Sequence, residues 1–561
     1  MFNLAIIVGL YSYTIFFLGL MQILHREIVV SITIIFVTIA IFYFRQNIKI
    51  ILRDSKKEWI SIQKNKISLF VFTTLVALIS VNLIGALGPE LAFDALWYHL
   101  TLPKLYLVNH AMYHIPGGLL YYSDMPKLGE LLYVGALTFG NEIWAKVLHW
   151  LFSILTLIVI YKLARKFYTQ TISLLAVLIF YSSLVIAWES TTAYIDLIRT
   201  FFEVLALLAF VHWWQLEKRR WLILSAIMVG LSISSKLLAL GSLGIFSLLI
   251  IWKALDSRLP TSPKLRWTSR GNDNISALMS SLFKNIFIYW GISLIIPLPW
   301  FLFAFFNTGN PFYPIFSDVF AGLHTKVFDI ALLNPITFIG TLWNVFTHAN
   351  DPLSPIYILF LPLLIWYFRK ADIYIKILYA YFIIALGLWY ITSQIEGSRL
   401  LVPYVPALSI LCAGVIAGVC KEKHLFGVYF YRLLIGLVLF TGLITAGYRL
   451  VANSKYIPVI IGTQSKQEFL IKNLNFSFGD FYDVDGYFAK NISQNDRVLL
   501  FGFHNLYYID FPYIHSSWLN EGDSFNYIAI QDAELPEQYT SWKLIYENEI
   551  THVKLFKESK K

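Results

Sequence analysis

Gly88–Glu130 reads GPELAFDALWYHLTLPKLYLVNHAMYHIPGGLLYYSDMPKLGE. It is the first long polar interruption in an otherwise apolar chain. Glu90 and Asp94 open it, His99, His110 and His114 follow, and Asp124 lies near its end. Tyrosine and tryptophan are interleaved throughout, as expected of a segment at the boundary between lipid and water. The stretch reads as half of an active site facing outward from a membrane.

Composition bounds the class. The 561 residues are 58% hydrophobic and 14% charged, with a mean hydropathy of +0.64. A soluble chain carries about a quarter charged residues. The deficit, together with repeated apolar runs of about 20 residues, implies a polytopic membrane protein. The net charge of +10 is spread over short loops between those runs. That distribution is topogenic and argues against nucleic acid as a partner. Two cysteines, Cys412 and Cys420, leave no room for a disulfide framework or a thiolate metal site. The first apolar run lacks a small-residue cleavage site and reads as a retained helix.

About thirteen apolar runs qualify as candidate spans on length. They extend from Phe2–Leu24 to Leu425–Tyr448 and include Thr171–Trp188, Trp221–Ser235 and Ile356–Phe368. Every second loop is basic: Arg45 to Lys66, Lys162 to Lys166, Lys218 to Arg220, Lys253 to Lys284, Arg369–Lys370 and Lys421 to Lys423. The positive-inside rule places these in the cytoplasm, so the loops carrying the unusual polar residues face outward. Leu128–Phe139 is too short to cross and is expected as a helix at the outer interface. After about Leu450 the apolar runs shorten to strand length (Val498–Phe503, Tyr527–Ile530, His552–Phe556), predicting a small outward α/β domain. The expected domains are 1–449 in the membrane and 450–561 outside it.

Ionisable residues at the edge of a membrane are costly, which singles out a few positions. Asp94 is either a general base or a solvated helix-capping aspartate. In WESTTAYIDLIRT, Asp196 and Arg199 are spaced as an intramembrane ion pair, and Glu189 adds another carboxylate. Lys236 and Arg399 are outward cations beside apolar helices. They would suit a lipid-linked phosphate, or simply snorkel to the headgroups. His110 and His114 are spaced for one helix face, but a zinc site would need a third defined ligand. His99, nearest Asp94, is the better candidate of the three histidines, and Tyr98 adjoins it. No phosphate-binding glycine loop is present.

Several stretches resemble the GT-C superfamily of membrane glycosyltransferases. The likeness is nearest the bacterial group related to protein O-mannosyltransferases and lipid A aminoarabinose transferases. The carrying segments are FDALWYHLTLPKLYL, ESTTAYIDL, GLSISSK, TGNPFYP and SRLLVPYVPALSIL, in that order. The resemblance implies Asp94 and Asp196 as catalytic carboxylates. It implies Lys236 and Arg399 as contacts of the donor phosphate and Glu189 in the second-loop acidic motif; His99, Tyr98 and Glu189 complete the expected substrate contacts. It also implies transfer of a sugar from a polyprenyl-phosphate donor to a glycan, lipid or protein acceptor, with inversion. One departure is visible: Asp124-Met125-Pro126-Lys127-Leu128 stands where many relatives carry Pro-Pro-Leu. The sequence neither names a cofactor nor requires a divalent cation. The expected architecture is an all-α polytopic bundle of about thirteen transmembrane helices, with interfacial helices in the first outer loop and the outward α/β domain behind it. The expected location is a bacterial plasma membrane, with the site outward among membrane lipids. The competing reading is a transporter or flippase of a lipid-linked sugar. That reading predicts internal repeats and ionisable residues at the midplane.

Overall fold

A computed structural model describes residues 1–256, 271–315, 317, 334–348, 352–392, 397–422 and 425–558. The basic residues Arg258, Lys264, Arg266, Arg270 and Lys423 lie outside the described residues, as does much of the outer loop after Asn307 and the stretch Gln394–Glu396.

The chain is an integral, multi-pass membrane protein. Among the described residues, nine helices are long and apolar enough to cross a membrane. A tenth is made by Met279–Ile295 with Leu298–Thr308, bent by 59°. Pro297 sits at that bend, where it lacks an amide donor and crowds the preceding turn. The expectation of about thirteen spans is therefore too high. The run Thr171–Trp188 breaks at Ser182–Ser183 into helices Gln170–Tyr181 and Leu184–Glu189. Helices Arg219–Ser235 and Pro355–Phe368 have 17 and 14 residues. At 1.5 Å per residue these pieces reach roughly 9 to 26 Å, short of a hydrocarbon core of about 30 Å. Apolar composition counted them; backbone continuity does not.

The basic segment before Lys66 is not a loop. Helix Arg26–Lys64 runs 39 residues, of which only Arg26–Gln46 is span-like. Its polar half is held by Glu58, which accepts from Tyr161 Oη at 2.5 Å and Gln170 Nε2 at 2.6 Å. Asn65 then caps the next helix, Lys66–Ala86, by accepting the Ser68 N–H. Helix Leu128–Phe139 has the expected ends, but most of its side chains are buried, packed against helices Phe2–Leu20 and Glu142–Ala164.

Two spans form the centre of the bundle. Asp196–Leu216 and Arg399–Cys420 are each 94% buried, against 6% for Arg26–Gln46 at the periphery. Both innermost helices begin at a residue singled out from the sequence. This fixes Asp196 and Arg399 at the same end of the bundle.

That end also carries the C-terminal domain, a five-stranded mixed sheet of order β2-β1-β3-β5-β4. Its strands are β1 (Val498–Phe501), β2 (Tyr513–His515), β3 (Tyr527–Gln531), β4 (Lys543–Asn548) and β5 (Val553–Lys557). β1 lies parallel between β2 and β3, and β5 lies antiparallel between β3 and β4. The three strands visible as apolar runs are the inner ones. The edges β2 and β4 are too short or too polar to stand out. The expected domain boundary at 449/450 falls near the end of helix Leu425–Ser454.

Candidate active site

Four charged side chains from four parts of the chain meet where the two innermost helices begin. Arg399 Nη1 lies 2.6 Å from Asp94 Oδ2, and Arg399 Nε lies 3.8 Å from Asp196 Oδ2. Lys236 Nζ donates to Asp196 Oδ1 at 3.0 Å. Asp196 is sealed at 0% side-chain exposure, whereas Lys236, Arg399 and Asp94 retain 12, 12 and 16%. Among the described residues, two carboxylates here face two cations. Asp196 opens its helix, where unpaired amide groups and the helix dipole favour a carboxylate.

The first outer loop is shaped to present Asp94. Glu90 accepts the N–H groups of Leu91, Ala92 and Ala193, tying this loop to the second outer loop. Asp94 then precedes a single π turn, Ala95–His99, closed by the Leu100 N–H on the Ala95 carbonyl. Such turns are frequent at functional sites because the extra residue re-aims its neighbours. The Asp94 N–H donates to the Tyr194 hydroxyl at 3.3 Å, and Tyr98 Oη donates to Asp94 Oδ2 at 3.4 Å. The Arg399 guanidinium lies 4.9 Å over the Tyr194 ring. Tyr194 therefore touches both partners of the central ion pair.

The other candidates take supporting positions. Tyr98 is buried and stacks on Tyr122 with ring centroids 3.6 Å apart. His99 is buried behind Tyr98, its Nδ1 2.9 Å from Glu130 Oε1. Glu189 is fully buried at the end of its short helix, and it is not one of the four charges. His110 faces His25, while His114 pairs with Asp124 at 2.7 Å. Among the described residues, no three His, Cys, Asp or Glu side chains converge as a metal ion would need.

The Asp124–Leu128 departure has a local role. Asp124 is fully buried and takes hydrogen bonds from His114 Nδ1, Ser123 Oγ and Asn307 Nδ2. Lys127 turns inward, donating to the carbonyls of Tyr122, Ser123 and Met125. Burial pulls its ammonium down to about 8. The lysine thus closes from within the turn that carries Tyr122.

Part of the C-terminal domain completes the site. His504 stacks on Phe93 at 4.7 Å and meets Trp97 at 4.4 Å, so its ring touches residues on both sides of Asp94 in the chain. The Tyr507 N–H donates to the Leu96 carbonyl, and Lys104 Nζ donates to the carbonyls of Tyr507 and Ile509.

The fold has counterparts. Residues 131–264 match the dolichyl-phosphate-mannose-protein mannosyltransferase family. The structure is similar to that of ArnT from Cupriavidus metallidurans bound to undecaprenyl phosphate, with a TM-score of 0.53 at 12% identity, covering 87% of this chain and 97% of that one. For ArnT in the apo state the TM-score is 0.54 at 13% identity, covering 90% and 98%. The chain has the GT-C fold. No curated protein sequence matches it.

Within the GT-C fold, four of the residues read from the sequence come together: Asp94, Asp196, Lys236 and Arg399. Tyr98 joins them through Asp94. Sequence reasoning missed Tyr194, which lies inside the quoted ESTTAYIDL and whose aromatic ring beside a carboxylate was the available signal. It also missed Glu130 and His504. Nothing local marks His504, because the contact depends on how a distant domain docks.

Proposed function

We propose that this GT-C protein transfers a sugar from a polyprenyl-phosphate donor to an acceptor at the outer face of the plasma membrane. The observation that carries the reading is the Asp94–Arg399–Asp196–Lys236 cluster at the head of the two innermost helices. Arg399 and Lys236 each face a carboxylate, so an arriving lipid phosphate competes with Asp94 and Asp196 for them. Taking Arg399 releases Asp94 to face the acceptor. Asp94 accepts the proton of the acceptor's hydroxyl or amine as that atom attacks the anomeric carbon. The bond from that carbon to the phosphate oxygen breaks, and its electron pair leaves with the phosphate. Arg399 and Lys236 hold the charge that develops there. Attack opposite the phosphate gives inversion.

The membrane part, 1–449, holds the donor in this scheme, and 450–561 covers the acceptor side through His504. The acceptor is a glycan, a lipid or a protein. The transporter reading draws support from Arg199 and Glu203, which lie within a span. However, both are enclosed by Tyr404, Tyr381 and Ser232 rather than set along a polar route. Mass spectrometry of surface glycans in a deletion strain tests the proposal. Loss of one sugar, restored by the wild-type gene and not by Asp94→Asn, supports it. Loss of the sugar with lipid-linked sugar trapped on the inner leaflet favours the transporter, and an unchanged surface would overturn both readings.

A further inference from the structure

Arg399 does not reach the site on a long helix. It opens a short 3₁₀ turn, Arg399–Tyr404, that leads into helix Val405–Cys420. The neighbouring helix Asp196–Leu216 holds this turn at both ends. At one end Asp196 Oδ2 faces Arg399 Nε at 3.8 Å. At the other, Arg199 Nη2 donates to the Tyr404 hydroxyl at 2.9 Å, with the guanidinium 5.5 Å from the Tyr404 ring centroid. Asp196 and Arg199 are three residues apart, hence on one helix face. Arg399 and Tyr404 are the first and last residues of the turn. The two contacts therefore set both the height and the rotation of the turn against the helix.

Arg199 itself cannot meet a substrate, being only 1% exposed. A buried guanidinium is an expensive way to fill space, since an apolar side chain would pack there without desolvating a charge. Its Nη2 goes to the Tyr404 hydroxyl, while Nε and Nη1 have no hydrogen-bond partner among the described residues. Glu203, one turn further along, takes its hydrogen bonds from Tyr381 Oη at 2.8 Å and Ser232 Oγ at 3.0 Å. The Tyr404 hydroxyl is also fixed from a third direction by Ser242 Oγ at 3.1 Å. A turn whose only task was to start a helix would not need a charged clamp at each end.

We infer that Arg199 is a positioning residue for the donor phosphate, acting through Tyr404 to hold Arg399 between Asp94 and Asp196. The inference rests on the reading of Arg399 as the phosphate contact. Without the clamp the turn rotates, and the guanidinium meets the phosphate with poorer alignment. The loss then falls on donor affinity more than on chemistry.

The test uses the full chain in lipid nanodiscs, with undecaprenyl phosphate as the probe and native mass spectrometry as the readout. Arg399→Ala defines the donor site and should weaken binding at least tenfold. Tyr404→Phe, which keeps the ring and removes only the hydroxyl, and Arg199→Met should each weaken binding about tenfold, as expected for a lost hydrogen bond to a charged group. In turnover, KM for a polyprenyl-phosphate sugar should rise while kcat changes less. The decisive measurement is the double variant. If Arg199 acts through Arg399, adding Arg199→Met or Tyr404→Phe to Arg399→Ala should weaken binding no further. Additive losses, or wild-type affinity in Tyr404→Phe when Arg399→Ala is impaired, would overturn the inference and leave the donor site standing. Wild-type affinity in Arg399→Ala would overturn both.

Discussion

Arg399 and Asp94 form a 2.6 Å ion pair although one lies in the first outer loop and the other begins the last of the innermost helices. The pair sets the first prediction. Asp94→Asn keeps the size of the side chain and removes its charge. Sugar transfer should fall by about 10²- to 10⁴-fold, the usual contribution of a general base. Binding of undecaprenyl phosphate should hold or tighten, because Arg399 loses a competitor for the phosphate. Single-turnover transfer from a purified polyprenyl-phosphate sugar into an envelope extract measures the first effect. Near-wild-type transfer would sink the mechanism.

Asp196 carries a different weight. It is sealed and faces two cations, Lys236 at 3.0 Å and Arg399 at 3.8 Å. Asp196→Asn leaves those cations facing a neutral group, and breaking a buried pair costs about 3 kcal/mol or more. Thermal melting in detergent should show a clear loss of stability, larger than that for Asp94→Asn, whose carboxylate is partly exposed. Equal melting temperatures in the two variants would contradict the burial difference.

Orientation is testable without an assay of function. Lys57, on the polar half of helix Arg26–Lys64, and Ser493, in the C-terminal domain, are both exposed. Single cysteines there should react with an impermeant maleimide from opposite sides, Ser493→Cys in intact cells and Lys57→Cys only after lysis. Labelling of both in intact cells would reverse the argument from the basic loops.

The sequence made the membrane class and the central carboxylates legible because both rest on costs that composition reveals. Long apolar runs have few explanations, and an ionisable residue beside one has fewer. It misjudged span number where backbone breaks hide inside apolar composition, as at Ser182–Ser183. It was silent on Tyr404 and Arg199 acting together, since their bond depends on how two helices rotate against each other. His110 and His114 illustrate the opposite error. Their spacing suits one helix face, but His110 adopts a left-handed backbone at φ 54° and no helix contains the pair. Asp124, at the end of the same loop, is the fully hydrogen-bonded centre of a turn.

The C-terminal domain should weaken in mild acid through His515. Its Nδ1 accepts the Ser517 N–H at 3.0 Å, so Nε2 carries the hydrogen and donates to the Phe503 carbonyl at 3.0 Å. Protonating Nδ1 destroys the first bond, and burial already lowers the imidazole to about 4. A depressed histidine stabilises the fold fully above its unfolded value, about 6.5. That stability is lost as pH falls from there towards 4, where the unfolded chain binds the extra proton. Hydrogen exchange of β1 and β2 should therefore speed up, beyond its intrinsic pH dependence, between pH 7 and pH 5. In His515→Asn this excess should vanish, at lower stability throughout. An unchanged slope in the variant would assign the pH response to another group.

His504 offers the sharpest separation of donor from acceptor. Its ring meets Phe93 and Trp97 and reaches the site only because Lys104, Leu96 and Glu90 dock the 504–510 loop against the first outer loop. The donor cations lie on the membrane helices and owe nothing to this contact. His504→Ala should therefore leave undecaprenyl phosphate binding unchanged and lower transfer by about fivefold, the scale of a lost aromatic contact of about 1 kcal/mol. His504→Phe keeps the stacking and should recover most of the rate. If it stays as slow as His504→Ala, the imidazole itself is needed, beyond its role in supporting Phe93 and Trp97. Lys104→Ala loosens the same docking from a distance. The Lys104–Asp510 ion pair at 2.6 Å is lost with it, so transfer should fall while undecaprenyl phosphate binding stays unchanged. A donor-binding defect in His504→Ala equal to its transfer defect would remove the C-terminal domain from the acceptor side.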